Sequence, residues 1–286
     1  MALSSVLILF LSHLGIGIAF SLLLVSKEAG IKFFRFNSGL SAILLVIALA
    51  FIYRPALSAS DAAQSGIGAV SVGLYRLLIL PTALIVFYWA TVGRMLTRVR
   101  QIILGLAVLT GFGLITIEGL AVGLAFVRRF DGLTPAALLG AASFLTSAVL
   151  LGTTCTAMIL GHWYLVIPSM QVSHLQSIAR VHIASTAARI VVVAAVVWFA
   201  LATGYAIDPI LGPTFRRYIF SVDGIFFWQR VLFGLAGPAV LSYLTWETAK
   251  IRSTQSATGI LYVDFFTVVV GEVLAKYIVL ATRVPV

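Results

Sequence analysis

Eight stretches of nearly unbroken apolar residues run along this chain, at roughly 3–25, 36–53, 66–91, 101–127, 135–161, 183–205, 226–248 and 256–282. Each is too long for a strand and long enough for a helix to cross a bilayer, which takes about 17 residues or more. Charged or turn-forming segments at 27–35, 54–61, 94–100, 128–131, 208–217 and 250–252 divide them. The pattern predicts an all-α polytopic membrane protein: a bundle of eight transmembrane helices forming a single integral membrane domain over 1–286. Between the fifth and sixth stretches, the polar segment 169–182 has the spacing of a short interfacial helix. The first stretch lacks a basic n-region and is too long for the apolar part of a signal peptide, so it reads as a retained first helix.

Composition agrees with this reading. The chain is 61% hydrophobic and only 10% charged, with a mean hydropathy of +1.12, whereas a soluble domain carries roughly a quarter charged residues. The net charge of +10 could suggest nucleic acid. The basic residues are scattered through short loops, however, as in membrane proteins whose Lys and Arg set topology, so no nucleic-acid partner is expected. A single cysteine, Cys155, excludes a disulfide framework and a cysteine-ligated iron–sulfur cluster.

The loops after odd-numbered spans carry Lys27, Lys32, Arg35, Arg94, Arg98, Arg100, Arg180, Lys250 and Arg252. The opposite side carries Arg54, Arg128, Arg129, Arg216, Arg217 and Arg283. The bias puts the odd loops in the cytoplasm and both termini outside. His13, Arg76, Glu118 and Glu272 then each lie about ten residues, or about 15 Å, below the outer end of their spans. Ionisable groups at membrane depth usually face the bundle interior and mark a site. Four at one level predict a buried polar pocket. Lys276 stands one turn from Glu272, and Asp264 two turns on its other side, near the midplane.

Plainer readings exist for each residue. Glu272 and Lys276 could form a self-neutralising i,i+4 pair, Arg76 could bridge Glu118, and His13 could be a neutral imidazole bonded to a neighbouring helix. A second constellation is Gly161-His162-Trp163-Tyr164, followed by His174 and His182. Trp163 and Tyr164 read as interfacial anchors. His162 and His182, near the inner ends of spans five and six, are the histidine pair whose depths could match for axial ligation of a haem b. A second matched pair is lacking, so haem is not the favoured reading. No C-x-x-C-H and no Walker lysine motif occurs. Pro81 and Pro238 are expected to kink their spans. Gly105, Gly111, Gly113, Gly119 and Gly123 would permit close helix packing.

The segment from Leu261 to Lys276, closing in Gly271-Glu272-x-x-x-Lys276, resembles the last helix of the membrane-anchor subunit of dimethyl sulfoxide reductase. That subunit groups with the NrfD-type anchors of polysulfide reductase. Trp228-Gln-Arg230 is also similar to that anchor, and the closer likeness covers about the last sixty residues. The resemblance implies an anchor that binds quinol and passes electrons to a separate subunit, without a metal of its own. The His-Leu-Gly-x-Pro stretch of the dimethyl sulfoxide reductase anchor is absent, and His13-Leu14-Gly15 echoes it without the proline.

Together these features lead to an expectation: a quinone-reacting subunit of a respiratory oxidoreductase in a bacterial inner membrane, not a complete enzyme alone. The cofactor would be menaquinone or ubiquinone. The partner would be an iron–sulfur or multihaem cytochrome c subunit. His13, Arg76, its neighbour Tyr75 and Lys276 would bind quinone, and Glu118 and Glu272 would move protons, with Lys276 tuning Glu272. The rival readings are an ion- or proton-coupled transporter and a single-haem b-type cytochrome subunit.

Overall fold

The computed structural model describes residues 3–52, 76–94, 96–127, 134–166, 171–204 and 214–286. Every long element among them is a helix. We number them α1 (Leu3–Leu24), α2 (Gly30–Ile52), α3 (Ile79–Thr91), α4 (Thr97–Val127), α5 (Pro135–Val166) and α6 (Val172–Ala202). Then follow the short α7 (Phe215–Ile219), α8 (Ile225–Val231), α9 (Gly237–Lys250) and α10 (Thr254–Thr282). Seven helical stretches of the described residues are long and apolar enough to cross a membrane: Leu3–Leu24, Lys27–Ile52, Arg98–Phe126, Pro135–Val166, Val172–Ala202, Val222–Lys250 and Thr254–Thr282. The expected third span is represented by the 13 residues of α3. Residues 66–75 of it, with Tyr75, lie outside the described residues.

Helices α1 and α5 form the centre, with α4, α6 and α10 packed around α5 and with α2 against α1. Small residues make this closeness possible. A Cβ on Gly152 of α5 would fall inside the backbone of Gly17 on α1, so the two helices cross with their main chains touching. Gly119 and Gly123 of α4 meet α5 at Gly140, Ala136 and Ala141 in the same way, and Gly111 packs on Ile16. Gly105 and Gly113 have open space around them, so they take no part in the expected packing.

Two elements differ from the sequence reading. The expected interfacial helix is not separate: residues 172–182 form the first three turns of α6. From 172 to 202 there is no Gly or Pro to interrupt the hydrogen-bond ladder. The seventh span is interrupted by a π-helical turn, Leu232–Ala236, which hands over to α9 at Gly237-Pro238. The missing proline N–H and its ring account for the local change of winding.

Contacts fix the relative directions. His13 lies beside Ser147, and Gly17 beside Gly152, so α1 and α5 run parallel. Ser147 meets Glu272 and Lys276, while Gly161 meets Thr258 and Leu261, so α10 runs antiparallel to α5. The start of α1 and the end of α10 therefore lie at the same end of the bundle. There Val284 and Val286 fold over the helices and pack with Phe215, Phe227 and Val196.

Candidate functional site

Glu272 of α10 is fully buried and is the centre of a charged cluster. Arg189 of α6 donates from Nε to Oε1 at 2.9 Å, and Arg230 of α8 donates from Nη2 to the same oxygen at 2.9 Å. Ser147 of α5 donates its hydroxyl to Oε2 at 2.5 Å. Lys276 stands 3.7 Å from Oε2. Its ammonium instead donates to Ser147 Oγ at 2.6 Å and to His13 Nδ1 at 2.9 Å. The Phe144 ring lies under both: its centroid is 5.1 Å from Lys276 Nζ and 5.1 Å from the His13 ring.

Four helices, α5, α6, α8 and α10 itself, thus converge on one carboxylate, with His13 of α1 joined through Lys276, and the local sequence explains how. Glu272 and Lys276 share a face of α10 because they are one turn apart. Ser143 and Ser147 share a face of α5 for the same reason. Arg189 Nη1 donates to the Ser143 hydroxyl at 2.7 Å and to its carbonyl at 2.9 Å, and Nη2 donates to the Val286 carbonyl at 3.1 Å. Arg230 reaches Glu272 because Gly234 and Gly271 bring the two backbones together, and a Cβ on either glycine would collide. Charges removed from water in this way must be paired and hydrogen-bonded to be tolerated.

The pairing is incomplete, and the unmatched atoms are informative. Three cations surround one carboxylate. Lys276 donates to His13 Nδ1, so in the neutral ring the hydrogen is on Nε2, and Nε2 is buried without a partner among the described residues. Arg230 Nε and Nη1 are likewise unpartnered. Glu118 of α4 is 6% exposed and both its carboxylate oxygens lack a hydrogen bond among the described residues. Lys276 is the cation whose field reaches it. Spare donors and a spare carboxylate in one buried region are what a bound polar ligand would satisfy.

The structure brings together His13, Glu272 and Lys276, with Glu118 within reach of the Lys276 charge. Arg76 does not join them. It is exposed at the rim, because α3 packs chiefly on α2 and α4 rather than on the central helices. The guanidiniums in the cluster are instead those of Arg189 and Arg230, both on Glu272. The i,i+4 pair of Glu272 and Lys276 exists, but as the longest of the contacts to that carboxylate.

A second polar core lies toward the other end. His182 Nε2 is 2.6 Å from Asp264 Oδ2, and its Nδ1 is 3.2 Å from Thr154 Oγ1. Both His182 and Asp264 are fully buried. His182 lies ten residues inside α6 because that helix begins at Val172, not at the inner end of a shorter span. With both ring nitrogens engaged, His182 does not fit axial ligation of a haem. His162 is exposed and contacts the Tyr262 hydroxyl at 3.0 Å. His174 pairs with Glu28 at 2.6 Å, at the bundle surface.

No protein-family model and no curated protein matches this chain.

Proposed function

We propose that this chain is the membrane subunit of a respiratory oxidoreductase and that the Glu272 cluster is where it meets quinone or quinol. One observation carries the reading: His13 Nε2, Arg230 Nη1 and both Glu118 oxygens are buried and unpartnered in a region already organised by ion pairs. A quinone offers two carbonyl oxygens that need donors, and its hydroquinone form offers two hydroxyls that need acceptors; it supplies two electrons and two protons when oxidised. His13 and Arg230 suit the first task and Glu118 the second. Glu272 is held by four partners, so its role is to fix Arg189, Arg230 and Lys276 in place. Of the two carboxylates expected to move protons, this leaves Glu118 for that role.

The finer topology belongs to the same proposal. Eight spans are supported by the common end shared by the start of α1 and the end of α10, which requires an even number of crossings. The positive-inside bias puts that end outside, in a bacterial cytoplasmic membrane. Electrons would pass to an iron–sulfur or multihaem cytochrome c subunit at that face, as the likeness of Gly271-Glu272-x-x-x-Lys276 to quinol-interacting anchors suggests.

A second reading, an ion- or proton-coupled transporter, is favoured by the π turn at Leu232–Ala236, which breaks a span beside the buried charges. Titration of the purified chain with a fluorescent quinol-site inhibitor separates the two. The redox reading expects saturable binding at one site per copy, weakened by His13→Ala and Glu118→Gln. Absence of saturable binding in a folded sample would defeat it.

A further inference from the structure

The outer surface of α2 and α3 holds an open groove of about 680 Å³, inside the range of about 300–1,000 Å³ common for small-molecule sites. Its walls are apolar: Phe36, Ile43, Val46 and Ile47 from α2, with Val86 and Trp89 from α3. Trp89 packs directly on the α2 backbone at Gly39, where a Cβ would sit 2.8 Å from the indole nitrogen. Lys32 and Arg35 stand together at one end. Neither side chain forms an ion pair among the described residues.

We propose that this groove binds one anionic glycerophospholipid, with its phosphate on Lys32 and Arg35 and an acyl chain along the apolar walls. Length supports the assignment. From Phe36 to Ile47 the helix rises about 16 Å, close to half of the roughly 30 Å hydrocarbon thickness, so the apolar wall matches one leaflet. Charge supports it further. Ile31 lies 3.0 Å from where a Cβ on Gly93 would be, and the Arg100 guanidinium sits 5.4 Å over the Phe34 ring. The basic turn bearing Arg94, Arg98 and Arg100 is therefore at the same end of the bundle as Lys32 and Arg35. That concentration of positive charge at the edge of an apolar slot attracts a lipid phosphate. A zwitterionic lipid also brings a phosphate, but its own ammonium offsets that charge, so it neutralises the two cations less than a headgroup of net negative charge does, and a neutral lipid brings no phosphate at all.

The test uses the full chain, delipidated in detergent micelles and titrated with phosphatidylglycerol or phosphatidylcholine under native mass spectrometry. One phosphatidylglycerol per copy is expected, bound more tightly than phosphatidylcholine. Lys32→Ala with Arg35→Ala should weaken it about 30-fold, from the combined contribution of two surface cations. Ile43→Trp, at a 59% exposed position, should fill the slot and remove the lipid without lowering the melting temperature of the lipid-free protein. Lys250→Ala with Arg252→Ala, in a different basic loop, should leave binding unchanged. Equal binding of the two lipids, indifference to the Lys32 and Arg35 changes, or retention of lipid in Ile43→Trp would each overturn the proposal.

Discussion

His182 and Asp264 form a fully buried pair, with Nε2 2.6 Å from Oδ2, between helices whose sequence positions are 82 residues apart. Removing one partner leaves the other polar and uncompensated in the protein interior. His182→Ala is therefore expected to destabilise by about 3–5 kcal/mol, the range for breaking a buried pair. His182→Ala with Asp264→Ala should be less destabilised than the sum of the single changes, because the orphaned group is gone. Unfolding by denaturing detergent, followed by circular dichroism, measures both. Additive effects would show that the pair contributes nothing as a pair.

Glu272 is predicted to be structural before it is anything else. Glu272→Gln keeps the shape but removes the negative charge that balances Arg189 and Arg230, both 2.9 Å away. The expected result is poor assembly, with a loss of about 3–5 kcal/mol. The yield of folded monomer by size-exclusion chromatography reports this. Wild-type yield and melting temperature would show that the two guanidiniums find another counter-charge.

The membrane class and most span positions could be read from hydrophobic run length alone, since the bilayer imposes that length. The depth argument picked out His13, Glu118 and Glu272 because their distance from the span ends is nearly their distance along the membrane normal, and Lys276 followed as the residue one turn from Glu272. It failed for Arg76, because depth says nothing about which face of the bundle a helix occupies. It also passed over Arg189. That residue was legible as a lone arginine inside an apolar stretch, but lay too far from the expected outer end to match the others. A long guanidinium side chain reaches a level that its Cα does not share. His182 with Asp264 escaped notice because the start of the sixth helix was placed too late, which moved His182 from the interior to the membrane surface. The close crossing at Gly17 and Gly152 depends on which helices are neighbours, and periodicity carries no such information.

That crossing gives a further prediction. Gly152→Leu would drive a side chain into the backbone of Gly17, and no rotamer change can relieve a clash with main chain. Helices α1 and α5 must separate, and with them His13 from Ser147. Loss of the folded monomer is expected. Gly113→Leu, at a position with open space around it, should be tolerated. A folded Gly152→Leu protein with unchanged mobility would mean that the two helices do not cross where the structure has them.

Glu118 is the residue on which the proposed chemistry turns. Both its oxygens are buried and unpartnered among the described residues, and Glu272, by contrast, is already committed to its ion pairs. A carboxylate free of hydrogen bonds but within the field of Lys276 is positioned to accept and release a proton. Glu118→Gln preserves size and polarity but cannot exchange protons at neutral pH. It takes no ion pair with it, so the complex should assemble normally. Loss of a general acid–base group typically lowers rate by about 10²–10⁴-fold, and quinol oxidation per assembled complex should fall within that span. Glu118→Asp should recover part of the rate, since it restores an exchangeable carboxyl group at a slightly different reach. A purely structural Glu118 gives the opposite pattern: reduced yield with unchanged turnover in the complexes that form. Measuring turnover and yield together in the three proteins separates the two roles, and wild-type turnover in Glu118→Gln would exclude Glu118 from proton exchange.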